Sequence, residues 1–77
     1  MNEYNFKELL FQALKTKKQA DIDRLGKWLD TYDPTSYNGE HYSYRDENNE
    51  YIITPVWKEV SEGEWEIEKY ELDVYGG

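Results

Sequence analysis

Four glutamates, Glu62, Glu64, Glu66 and Glu68, alternate along one stretch of the C-terminal half of the chain. On an extended strand, residues two apart point the same way at intervals of roughly 6.6–6.8 Å. That interval resembles the separation of successive phosphates on a nucleic-acid strand. The chemistry it offers is an acidic ladder able to occupy the nucleic-acid groove of another protein. The plainer reading is a solvated strand face, charged so that an edge does not aggregate. Glu59 adds a further carboxylate: in the simplest register it sits opposite Glu66, and directly paired like charges destabilise a sheet. The candidate partner-binding residues are therefore Glu59, Glu62, Glu64, Glu66 and Glu68, with Trp65 as an aromatic anchor of the kind that dominates interface hot spots.

Other chemistry is thinly represented. His41 has no second histidine and no cysteine with which to hold zinc, and no nucleophile beside it. The run Asp46-Glu47-Asn48-Asn49-Glu50 has the acids of a calcium loop. It lacks the glycine and the distal glutamate that such a loop needs, so it reads as a polar hairpin turn. Acid–base catalysis by paired carboxylates needs a concave pocket around a group of shifted pKa, which so short a chain hardly encloses. No catalytic or metal-ligating residue is assigned, no cofactor is expected, and the chain reads as non-enzymatic.

These side chains must be positioned by a very small fold. A chain of 77 residues reads as one domain, 1–77, of a size that buries only about 60% of its unfolded surface. Eight Tyr, three Trp and two Phe help to fill its core. The absence of cysteine rules out a disulfide framework. No signal core or apolar span is seen, so a cytoplasmic protein that does not engage membranes is expected. Residues 1–30 carry six Lys/Arg against five Asp/Glu, whereas residues 31–77 carry three against twelve, which together make the net charge of −8. Such a field repels nucleic acid and draws in basic protein surfaces.

The periodicities predict an α+β fold. Phe6, Leu9, Leu10, Ala13 and Leu14 make one helical stripe over about 5–16, opened by a capping box on Asn5 and Glu8. Ile22, Leu25 and Leu29 are out of phase with it, which predicts a break within 16–20 and a second helix over about 20–31, with a single bent helix as the alternative. Gly26 costs helix stability and marks a close helix–sheet approach. Beyond Pro34 and the Asn38-Gly39 turn, three antiparallel strands follow as a meander, about 41–46, 50–60 and 64–74, with the helices packed on one face.

With Asn48-Asn49 at the first apex, Tyr44 faces Ile53 and Tyr42 faces Pro55. With Glu62-Gly63 at the second, Ile53 faces Leu72, Tyr51 faces Val74 and Trp57 faces Glu68. Opposed side chains share a face, so Tyr42, Tyr44, Tyr51, Ile53, Tyr70, Leu72 and Val74 form the surface that the helices cover. The other face carries Val56, Val60, Trp65 and Ile67, an uncovered patch suited to a homodimer contact. Pro55 cannot donate to a ladder and argues for an irregularity in the central strand.

The strings Leu25-Gly26-Lys27-Trp28-Leu29-Asp30-Thr31-Tyr32, Tyr37-Asn38-Gly39-Glu40-His41-Tyr42 and Pro55-Val56-Trp57-Lys58-Glu59, with Trp65 and Tyr70-Glu71-Leu72, resemble a set of short acidic proteins from phages and mobile elements of Gram-positive bacteria. The likeness covers about residues 25–72. It implies an accessory or anti-defence role, similar in size and charge to anti-CRISPR proteins and other nucleic-acid mimics, and it implies no catalytic residues. The expected function is an inhibitor or adaptor whose acidic hairpin binds a basic protein surface, such as that of a nucleic-acid-processing protein. The alternative is a structural, self-associating domain whose acids only keep it soluble.

Overall fold

The computed structural model describes residues 3–76, with side chains described for residues 5–76. Two helices, α1 (Glu3–Thr16) and α2 (Gln19–Tyr32), precede a short 3-10 turn (Pro34–Ser36) and three strands, β1 (Tyr42–Arg45), β2 (Asn49–Ser61) and β3 (Glu64–Gly76). The strands form one antiparallel sheet in the order β1-β2-β3, so the fold is α+β. Helix α1 is already under way at Glu3, which places Asn5 inside the helix rather than at its cap. The break falls at Lys17, whose φ of 57° turns the chain out of α1. There Thr16 Oγ accepts from the Lys18 N–H at 3.2 Å and donates to Asp21.

The core is made by one stripe from each helix and one face of the sheet. Phe6, Leu10 and Ala13 of α1, Leu25 and Leu29 of α2, and Tyr42, Tyr51, Ile53 and Tyr70 of the strands are buried together. Tyr44 and Leu72 pack against this set. Val74, expected among them, is 46% exposed. Length explains this: a 14-residue helix spans about 21 Å at 1.5 Å per residue. A 13-residue strand runs to about 43 Å at 3.3 Å per residue, which is also the long dimension of the molecule, 43 Å. The helices cover the hairpin from Tyr51 to Tyr70 and leave its tip and the Val74 end of β3 exposed.

The first hairpin turns one residue earlier than its Asn-Asn pair suggests. Asp46 Oδ1 accepts the backbone N–H groups of Asn48 and Asn49, each at 2.8 Å, and Oδ2 accepts the Tyr51 hydroxyl at 2.9 Å. This Asx turn sets the apex at Glu47-Asn48. Tyr42 therefore faces Ile53 and Tyr44 faces Tyr51, in place of the expected Tyr44–Ile53 and Tyr42–Pro55 pairs. A slip of two residues leaves every side chain on its original face, so the core residues are unchanged.

Helix α2 locks onto β3 at Tyr70. The Tyr70 N–H donates to Asp23 Oδ1 at 2.9 Å, and Gln19 Nε2 donates to the Tyr70 carbonyl at 2.7 Å. Both backbone groups of Tyr70 thus point away from β2, and its partner Pro55 sits at a non-hydrogen-bonded pair. The missing N–H of Pro55 would aim toward the β1 side, where β1 has not yet begun, because Tyr42 lies opposite Ile53. A proline in the central strand thereby leaves no ladder bond unmade. Above Tyr70 lies Gly26, where any Cβ would overlap the atoms of the tyrosine ring.

Two outcomes follow from these contacts. Helix propensity alone would make Gly26→Ala stabilising by about 1 kcal/mol. Overlap with the Tyr70 ring reverses the sign, and urea denaturation should show a net loss of about 1–2 kcal/mol. At the first turn, the backbone N–H groups of Asn48 and Asn49, then the Tyr51 hydroxyl, hold the Asp46 carboxyl below the usual carboxylate range. A depressed folded-state pKa contributes stability above the unfolded value and loses it as pH falls through the folded value. Between about pH 7 and about pH 3 the wild type should therefore lose more stability than Asp46→Asn, which carries no titrating group there.

Candidate functional site

Beyond Tyr70 the hairpin continues as a two-stranded ribbon that ends at Glu62-Gly63, with Gly63 at a φ of 79°. Up to Tyr70 the hairpin keeps the expected register, with Tyr51 opposite Val74 and Ile53 opposite Leu72. Between Val56 and Trp57 the pairing then shifts by one: Val56 faces Lys69 but Trp57 faces Ile67, which leaves Glu68 as the extra residue of a β-bulge. A second shift lies between Glu59 and Ser61, at Val60.

The bulge corrects two expected pairings, Trp57 with Glu68 and Glu59 with Glu66. An unbroken ladder would set Trp57 against Glu68, Lys58 against Ile67 and Glu59 against Glu66. The actual pairs are Trp57 with Ile67, Lys58 with Glu66, and Glu59 with Trp65. One mismatched pair becomes apolar on apolar, and one like-charge pair is replaced by a Lys–Glu pair. Cross-strand preferences of this kind are each worth about 0.2–1 kcal/mol, and here they act in the same direction.

The faces change accordingly. Trp57, Ile67, Glu59 and Trp65 follow Ile53 and Pro55 on the side that the helices cover farther down. Val56, Lys58, Glu66 and Lys69 lie on the other side. The expected patch of Val56, Val60, Trp65 and Ile67 is therefore split. Ile67 tucks partly under the end of the helical layer, where it lines a hollow with Asp23, Lys27 and Tyr70. Trp65 and Trp57 extend past that layer, 59% and 49% exposed, and Val60 stands at the tip, 46% exposed. Trp57, expected to face Glu68, instead joins Trp65 on this side. The clue to it was the Glu59–Glu66 clash that an unbroken register would have created.

The acidic ladder is broken at the same place. Glu64 and Glu66 share a face across one two-residue step, Glu62 lies in the turn, and Glu68 occupies the bulge. All five candidate glutamates are exposed. Glu59 Oε2 accepts the Gly63 N–H at 3.3 Å and Glu64 Oε1 accepts the Ser61 hydroxyl at 3.0 Å, so these two brace the tip. Among the described residues the side chains of Glu62, Glu66 and Glu68 have neither a hydrogen bond nor an ion pair; of the acids on β2 and β3, only Glu50 forms an ion pair, with Arg45 at 3.6 Å. The negative field of the tip is thus left to solvent or to a partner.

Away from the ribbon, His41 is half-buried with its Nε2 3.3 Å from Asn38 Nδ2, inside the turn that carries Gly39. No protein-family model matches the chain, and no curated protein or solved structure matches it either.

The bulge can be checked by the sign of one substitution. In an unbroken ladder Glu66→Lys would replace a Glu–Glu pair by a Glu–Lys pair and stabilise the sheet. Opposite Lys58 it should instead destabilise by about 0.2–1 kcal/mol in low-salt chemical denaturation, with the loss shrinking as salt is added.

Proposed function

We propose that this chain is a non-enzymatic protein-binding module whose projecting ribbon engages a basic surface on a nucleic-acid-processing protein. The observation that carries the reading is the state of the tip. Five exposed carboxylates are gathered there, three of them unpartnered among the described residues, beside two half-exposed tryptophans. Charge of this kind speeds encounter with a basic partner and sets orientation, while buried aromatics supply contact energy at an interface centre. With the ladder reduced to Glu64 and Glu66, the ribbon acts as a charged arm rather than a copy of an extended phosphate backbone. An anti-defence role in a phage or mobile element is the setting that the sequence resemblance implies.

Self-association is the second reading. It is favoured by the exposure of Trp57 and Trp65 on one face of the tip. The two readings differ in their salt dependence, since a contact between two copies of so acidic a tip tightens as salt screens it, whereas a contact with a basic surface loosens.

The test is affinity capture from the native host, followed by binding measurements on the purified captured protein. The dissociation constant should rise steeply with salt, and double-stranded DNA should compete. The triple variant Glu64→Gln, Glu66→Gln, Glu68→Gln should bind about tenfold more weakly or worse. Equal binding by the triple variant at every salt concentration, or indifference to DNA, would remove the proposal.

A further inference from the structure

A second recognition feature lies away from the ribbon tip, alongside the three-stranded part of the sheet. Between the C-terminal end of α2 and β1 opens a cleft of about 220 Å³. Phe6, Trp28 and Tyr44 form its aromatic walls, Leu29 and Ile53 its apolar floor, and Asp33 its polar side. The rings are set at angles rather than stacked flat. Phe6 and Trp28 have centroids 5.6 Å apart at 38°, and Phe6 and Tyr44 are 4.9 Å apart at 66°. Phe6 is buried, while Trp28 and Tyr44 are only half-buried, so the aromatic corner remains open to solvent.

Three observations decide the charge of what fits. Aromatic faces carry negative potential and attract cations, most strongly where water is excluded. Asp33 is half-buried; its Oδ1 accepts one long bond of 3.3 Å from the Thr35 hydroxyl, and its Oδ2 accepts none among the described residues. Asp33 is also the C-cap of α2, whose last turn holds no basic residue, so the negative end of the helix dipole is left uncompensated. The apolar floor disfavours a strongly hydrated metal ion or a bare ammonium group. The volume is below the roughly 300–1,000 Å³ of a site for a whole drug-sized ligand and suits a head group.

We propose that this cleft binds a quaternary or methylated ammonium group, seated against the open corner that the rings of Phe6, Trp28 and Tyr44 form and balanced by the Asp33 carboxylate. The site is independent of the acidic ribbon, and the failure of either proposal leaves the other standing. Two sources present this chemistry: a free small-molecule quaternary ammonium, or a methylated lysine side chain.

The test follows the indole N–H resonances of the intact protein by NMR, with Trp57 and Trp65 as internal controls. The probes are choline, a short peptide with one trimethyllysine, and 3,3-dimethyl-1-butanol as the uncharged isostere of choline. Choline should shift the Trp28 signal saturably, with a dissociation constant of about 1 mM, and leave the other two unmoved. The isostere should bind about tenfold more weakly, and Asp33→Asn, with its ligand-free spectrum otherwise preserved, should weaken choline binding severalfold. Tighter binding of the peptide than of choline assigns the site to a modified side chain; equal or weaker binding assigns it to the free cation. Absence of a saturable Trp28 shift with either cation overturns the proposal. So does an isostere that binds as well as choline, or an affinity that Asp33→Asn leaves untouched.

Discussion

The contact between Gly26 and Tyr70 governs the rest of the molecule. The absent side chain at Gly26 lets α2 settle directly onto the tyrosine ring. The ring then stays in place because its backbone N–H and carbonyl are claimed by Asp23 and Gln19 of the same helix. Packing and hydrogen bonding therefore act at one point and resist separation together. This bonding also orients Tyr70 so that Pro55 can oppose it without loss of a ladder bond. One residue thus fixes the helix on the sheet, closes part of an open strand edge and accommodates the only proline of the central strand.

Because Tyr70 lies midway along β3, the same contact divides the hairpin. Toward β1 the sheet is three strands wide and roofed by helices, and it accumulates buried tyrosines. Toward Gly63 it is a bare ribbon of two strands. The bulge at Glu68 falls where the roof ends, and it sets Trp57 against Ile67 on one face of the ribbon and Lys58 against Glu66 on the other. Ile67 and the two tryptophans continue the helix-facing side, whereas Lys58, Glu66 and Lys69 take the other. An isolated two-stranded ribbon is marginal in water. This one survives as the extension of a packed sheet, and it carries Glu59, Glu62, Glu64 and Glu66 beyond the hollow that Glu68 lines with Lys27 of α2.

Much of the fold was readable from residue order. The phase change between Leu14 and Ile22 predicted two helices, and Gly26 marked a close approach to the sheet. Alternation identified Tyr51, Ile53 and Tyr70 as the buried face. Each of these signals is local, arising from side chains within a turn or two of one another. The concentration of acid in the second hairpin was equally plain, since charge is counted along the chain without regard to folding.

What the linear order left open was register. The apex of the first hairpin depended on Asp46 reaching two backbone amides and the Tyr51 hydroxyl, a competition that turn preferences alone do not settle. The bulge depended on the whole set of cross-strand pairs from Trp57 to Glu66, in which the energies of several modest contacts sum across two strands. The aromatic cleft needed Phe6, Trp28 and Tyr44, distant in sequence, to be brought to one corner by helix packing. Composition and periodicity determined the elements, their order and the sign of the field. Only the tertiary structure decided which side chains share a surface, because that choice is made by contacts between segments that the chain itself keeps far apart.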